Sequence, residues 1–531
     1  QSEQLSIINN PKSSTAYGPI PSAPQSEKSS LSLSLSILSF PVNQESPSLS
    51  YPFGPSFNIV PFVTGSVVAT WLGGAVILGG ATEAFVGGFQ AIVWDPWSPF
   101  LTLLIVGFLF VGVFRRSRFT TSVDFYNARY SKGIGLTSMA VGMIAYISWI
   151  SAQLLSLGII ISVVTGVDTM IATLMGSTLI LGVALVGGLW ALSRSDMLAF
   201  IILSLVLLII LPYSLNAVGG ITAFVENAGV VDGAPPFSLF YTNELNTNGQ
   251  SHGFAGYLGL LGVLYMLAAW FSVAIGDIGG SVLTARALAA KDEVAATRGF
   301  IYGGFIYLAL GMILVIVGMC AFILYPNLPE GEIDNIFPIF VQNHMPNWVV
   351  ILFFVAVSSA IVSTAGDTIL TAGALIGYTA FSVVKPQSTD AQRLKITRLS
   401  MILITIISLL FGLVMGDLYR LLVFAGAVSF PVLSATAICG ILWSRANVIG
   451  AWLSIITGAS SWLLFIWLLL PIVDYEIWDA IYIGAVPAFI CSLTAMVLGS
   501  LITQQTNPPN PVRDVDGNDI SNHRLFTWRV Q

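Results

Sequence analysis

Charge is what this chain has least of. Only 9% of its 531 residues are Asp, Glu, Lys or Arg, against about 25% in soluble domains. With 55% of residues hydrophobic, a soluble fold of this length could not hide its apolar surface. The chain therefore reads as a single polytopic membrane domain. Cysteine is scarce too. Cys320, Cys439 and Cys491 all fall inside apolar runs, which argues against a disulfide framework or a thiolate metal cluster and for buried thiols. His252, His344 and His523 are scattered through loops and tail. There is no His-Glu-x-x-His and no Gly-x4-Gly-Lys-Ser/Thr, so neither a zinc peptidase nor an ATP-driven pump is expected. No enzyme activity, cofactor or nucleic-acid partner is expected. The net charge of −6 is divided between two sides of a membrane and identifies no partner.

What is present is length in apolar runs. Residues 1–55 are rich in Ser, Pro, Gln and Asn and read as a disordered tail. Leu31–Val42 is too short and serine-rich to span, and it lacks a signal peptide's basic start and cleavage site. About twelve spans follow, near 61–91, 98–114, 134–165, 168–190, 196–219, 255–276, 300–325, 347–384, 396–415, 418–443, 447–470 and 480–502, each close to the ~20 residues a bilayer requires. Residues 56–502 are thus expected to be the transmembrane domain and 503–531 a cytoplasmic tail. With both ends inside, 19 of the 20 basic residues lie on one face, Arg420 being the exception. The bias of Lys and Arg makes that face cytoplasmic. Arg286, Lys291 and Arg298 are counted in the loop after the sixth span, and 229–253 is expected outside.

Two spans carry chemistry. Within Val355–Gly373, Ala360, Ser363, Thr364 and Asp367 sit at i, i+3, i+4 and i+7, and Thr371 extends the face. A mid-membrane carboxylate costs about 2.5–3.5 kcal/mol, so Asp367 must face protein, water or an ion. Two adjacent hydroxyls above a small residue offer the hard oxygens an alkali cation needs. The alternative is a Ser/Thr packing seam with its hydroxyls bonded back to carbonyls. In the first span, Gly73–Gly74 and Gly79–Gly80 interrupt an apolar run at mid-depth. Such a helix unwinds to offer carbonyls and half-helix ends, or packs closely through its small residues. Glu83 lies two to three turns beyond and could bind a cationic group, carry a proton or sit in the outer vestibule. A channel shares this composition; saturable, ion-dependent, concentrative uptake distinguishes a carrier.

Several stretches together resemble the sodium:solute symporters. SSAIVSTAGDTIL is similar to that family's Ala-x-x-Ser-Ser/Thr ion-site helix. Residues 276–299 resemble its Arg-x-x-Ala-Ala-Lys loop, with Arg286, Ala289, Ala290 and Lys291 in place. TSVDFYNARYSKG (121–133), VGGLWALSRSDMLAF (186–200) and ATWLGGAVILGG (69–80) resemble further signatures in the family's order. The resemblance implies an all-α, LeuT-like 5+5 inverted repeat with broken first and sixth core helices and two C-terminal helices. It implies uptake of a small organic solute coupled to sodium by alternating access in the plasma membrane, a proton-coupled carrier of the same fold being the alternative. Carried over by residue, the sodium site comprises Ser363 and Thr364 side chains and the carbonyls of Ala360, Gly65 and Val68. Asp196 and Asp367 would line the ion pathway. The substrate would lie between spans 1, 3, 6 and 10, near Trp71, Gly73, Gly74, Glu83, Tyr146, Trp149, Gln153, Trp270 and Phe424. Two departures stand out: family members commonly carry a helix before the broken one, where this chain has its Ser-rich tail, and Gln where Ala199 stands.

Overall fold

The computed structural model describes residues 60–520 apart from 120, 229–236, 241–252 and 279. The expected tail 1–55, His252, His523 and most of the loop 229–253 lie outside the described residues.

The described chain is helical throughout. The first span is two helices, α1 (Val60–Trp71) and α2 (Gly74–Gly87), separated at Leu72–Gly73. A tight turn, Gly88–Val93, leads to α3, which runs from Trp97–Ile105 through a π-turn at Val106–Phe110 to Val111–Ser117. The short α4 (Ser122–Arg129) precedes α5 (Lys132–Thr165). Next comes α6 (Thr169–Ala217), then α7 (Ile221–Asn227). A second interruption follows. α8 (Gly259–Gly276) is separated by Asp277–Gly280 from α9 (Ser281–Ala289), and α10 (Glu293–Leu324) comes next. The remainder is α11 (Ile336–His344), α12 (Asn347–Ala374, continuing to Val384), α13 (Asp390–Met415), α14 (Leu418–Leu442), α15 (Val448–Leu469) and α16 (Ile477–Ile502).

Side-chain caps set these boundaries. Asp168, Asp292, Asp417 and Asn447 each accept a backbone N–H at a helix start, and Thr389 with Gln392 forms a capping box. α5 and α13 end on Gly166 (φ 72°) and Gly416 (φ 67°), left-handed positions suited to glycine.

Eleven stretches among the described residues are long and apolar enough to cross a membrane. One of them, Gly74–Ser117, contains both α2 and α3. The expected break between the fourth and fifth spans is absent from the backbone: α6 stays helical for 49 residues. That is about 73 Å along a straight axis. Its segments Thr169–Val186 and Asp196–Ala217 are each of spanning length. The intervening residues lack proline, and a glycine pair weakens a helix without ending it.

α1 and α2 pack on α10, α12 packs on α6, and α14 on α5. The outer helices present Leu403, Ile407, Leu410, Leu463 and Trp467 exposed, a surface that only lipid tolerates. The protein is a multi-pass integral membrane protein. Cys320 and Cys439 are buried free thiols, and Cys491 is half-buried. After α16 the chain folds back: Arg118 pairs with Asp514 and Asp516, and Arg129 donates to the Asn510 carbonyl.

Asp334, outside the spans, has its carboxyl pushed up to about 6, chiefly by burial and secondarily by Asp417, against the lowering effect of the Leu418 N–H at 3.4 Å. The folded protein therefore holds this proton more tightly than the unfolded chain. Stability should fall as pH rises from about 4 to about 6. Melting in detergent across that window should show the decline, and Asp334→Asn should flatten it.

Candidate functional site: an ion niche beside a central cavity

The break in the first span is held from both sides. Leu72 N still bonds the Val68 carbonyl (2.7 Å) and Ile77 N the Gly73 carbonyl (3.1 Å), so each half-helix is regular up to the break. Gln153 of α5 accepts the Ala75 N–H at 3.3 Å, capping α2. A Cβ on Gly73 would come within 3.0 Å of Gln153 Nε2 and 3.2 Å of Thr364 Cγ2, and one on Gly74 would collide with Ile361 of α12. Both glycines thus let the break sit directly against α5 and α12. Gly74→Ala should lower the melting temperature by several degrees, and adding Ile361→Ala should recover part of the loss. Additive losses in the double variant would count against this contact.

α12 turns its polar stripe inward. Ala360, Ser363, Thr364, Asp367 and Thr368 are all buried. Thr364 Oγ1 donates to the Ala69 carbonyl at 3.3 Å, and Ser363 Oγ donates to Asp196 of α6. Ala69, Leu72, Asp196, Ala199, Phe200, Leu203, Ala360 and Ser363 close around a gap too tight for a water molecule. The contact to the first helix therefore reaches Ala69, one residue beyond Val68. Gly65 lies a turn earlier, where a Cβ would come within 3.2 Å of Phe200.

Arg286 corrects the sequence reading. It is not a loop residue on the cytoplasmic surface: it lies on α9, the second half of the broken sixth span, and is 2% exposed. Its guanidinium pairs with Asp367 and lies 3.6 Å from Asp196. Two buried carboxyl groups thus share one guanidinium beside the hydroxyls of α12. Arg286 Nε and Nη1 have no partner among the described residues.

Above the break lies a cavity of about 100 Å³. Thr70, Trp71 and Gly80 line it from the first span, Tyr146 and Trp149 from α5, and Thr368 from α12. Val273 and Asp277 close it at the sixth-helix break, and Val423, Ala425 and Gly426 of α14 on a further side. Of the residues expected around a substrate, Trp71, Tyr146 and Trp149 line this space. Gly73, Gly74 and Gln153 form the break beside it. Glu83 is partly buried further along α2. Trp270 stacks on Phe271 at 5.2 Å, and Phe424 packs on Phe411 and Trp478. Sequence reasoning missed Trp94, Asp95, Tyr307 and Asp277, which also line it. A carboxylate directly after an apolar span, in GDIGG, was the available signal for Asp277.

Two interrupted helices, the hydroxyl contacts that join α12 to α1 and α6, and a central cavity define a secondary-carrier core of the LeuT type. The chain belongs to the sodium:solute symporter family, whose sequence profile matches residues 54–458. It is 22% identical to a Caenorhabditis elegans high-affinity choline transporter over 73% of this chain and 66% of that one. It is also 22% identical to the Vibrio parahaemolyticus sodium/glucose cotransporter, over 81% and 83% of the two chains. Its fold matches a Na+-coupled sialic acid symporter in a substrate-bound outward-open state, with a TM-score of 0.65 at 18% identity, covering 83% of this chain and 90% of that one.

Proposed function

We propose that this protein imports a small organic solute with sodium by alternating access, from a plasma membrane in which both termini are cytoplasmic. The observation that carries this reading is the meeting of α1 and α12 at Thr364 and Ala69. A sodium ion held by Ser363, Thr364 and the Ala360 carbonyl, with carbonyls of the first helix near Gly65, Val68 and Ala69, would tie those helices together. The same two helices carry Thr70, Trp71 and Thr368 into the cavity. Ion binding therefore orders part of the solute's own wall. Coupling of this kind is reciprocal: solute tightens sodium as much as sodium tightens solute. The two carboxyl groups of the Asp196–Arg286–Asp367 cluster favour a cation beside them. An inside-negative potential of 100 mV adds about 2.3 kcal/mol per charge carried across.

Uptake of radiolabelled solutes into proteoliposomes, driven by a sodium gradient, tests the proposal. Saturable, concentrative uptake that disappears when potassium replaces sodium is expected. Accumulation driven by a proton gradient alone would transfer the coupling to protons, and non-saturable flux would indicate a channel. Asp196→Asn should slow sodium release while leaving expression intact.

A further inference from the structure

The carboxyl side chains at the central cavity have no basic counterpart among the described lining residues. Asp95 and Asp277 line it, and among the described residues no lysine, arginine or histidine does. The C-terminal ends of two half-helices meet it as well, at Trp71 of α1 and at Asp277, the C-cap of α8. Helix C-termini carry negative partial charge, and the N-terminal turn of α2, which brings Val76 to the cavity, carries the opposite sign. Asp95 accepts a hydrogen bond from Tyr307 Oη at 2.6 Å. Asp277 lines the cavity at the sixth-helix break, its Oδ1 turned toward Gly280. Five aromatic residues share the walls, Trp71, Trp94, Tyr146, Trp149 and Tyr307, with Thr70, Thr368 and small or aliphatic residues between them. Trp71 and Tyr307 meet edge to face with centroids 6.4 Å apart. Aromatic faces attract cations most strongly when the ion is desolvated. A solute bearing only a carboxylate would be repelled by the acids.

We infer that the transported solute is a small organic cation, an amine or quaternary ammonium, whose charged head sits between Asp277 and the tryptophan faces with Asp95 opposite. This rests on the symport reading above and specifies the substrate class of the same cavity. Asp277 is the direct counter-ion. Asp95, held by Tyr307, sets the field across the cavity.

The test uses the full-length protein with sodium present. Choline, tetramethylammonium and ethanolamine are compared, by quenching of tryptophan fluorescence and by uptake, with 3,3-dimethylbutan-1-ol, the neutral isostere of choline, and with glucose, proline and pantothenate. At least one cation should bind, and for choline the advantage over its isostere should be about 30-fold, equivalent to about 2 kcal/mol. Asp277→Asn should weaken cation binding by a similar factor, and Asp277→Glu should restore part of it. Equal binding of choline and its isostere, failure of every cation, or an Asp277→Asn variant within twofold of wild type would each overturn the inference. Sodium-driven uptake of a neutral or anionic solute would overturn it too while leaving symport standing. Uptake indifferent to sodium would instead remove the symport reading.

Discussion

Replacing Arg286 with alanine should cost about 3–5 kcal/mol of stability, the usual consequence of stripping the partner from buried charges. The argument is geometric. Asp196 and Asp367 approach Arg286 from α6 and α12, and all three side chains are at most 3% exposed. Without the guanidinium, two carboxylates share one buried site, and neither has bulk water to stabilise it. Asp367→Asn should be much milder, because it leaves one acid and one base. Melting of both variants in detergent decides this: an alanine variant as stable as the asparagine variant would mean the cluster is wetter than its burial implies. Asp367→Asn should also weaken sodium binding, since it removes a carboxyl group from the cluster that adjoins Ser363 through Asp196.

Thr364→Ala should raise the sodium concentration needed for half-maximal uptake by about five- to 150-fold. Losing one oxygen ligand costs on the order of 1–3 kcal/mol, by analogy with an unmade hydrogen bond, at tenfold per 1.4 kcal/mol. Solute affinity should fall at low sodium and recover at high sodium, because the coupling is mutual. Thr364→Ser keeps the oxygen and should shift the titration little. In the bond that Thr364 makes to the Ala69 carbonyl the hydroxyl also joins α12 to α1, so a packing seam predicts another pattern. There, alanine would change melting temperature but leave the sodium curve in place. Sodium titrations of wild type and both variants separate the two, and an unmoved curve for Thr364→Ala removes the threonine from the ion site.

The membrane class, the inward stripe on α12 and the interruption at Gly73 are local properties. Span length, a 3.6-residue period and a glycine pair are written within 20 residues of chain, so these features can be read before any folding is considered. Arg286 could not be read that way. An arginine just after an apolar run looks like a loop cation, and burial becomes tolerable only when acids from two distant helices converge on it. Asp95 and Asp277 likewise look like span-end residues until the breaks in the first and sixth spans bring them to one cavity. The continuity of α6 is a third case: nothing within 187–195 forbids a turn or demands one. Local pattern thus settles which segments lie in the membrane and which helices carry oxygens. Which charges meet, and therefore what the cavity can hold, depends on long-range packing, because the energy of a buried charge is set by its neighbours in space.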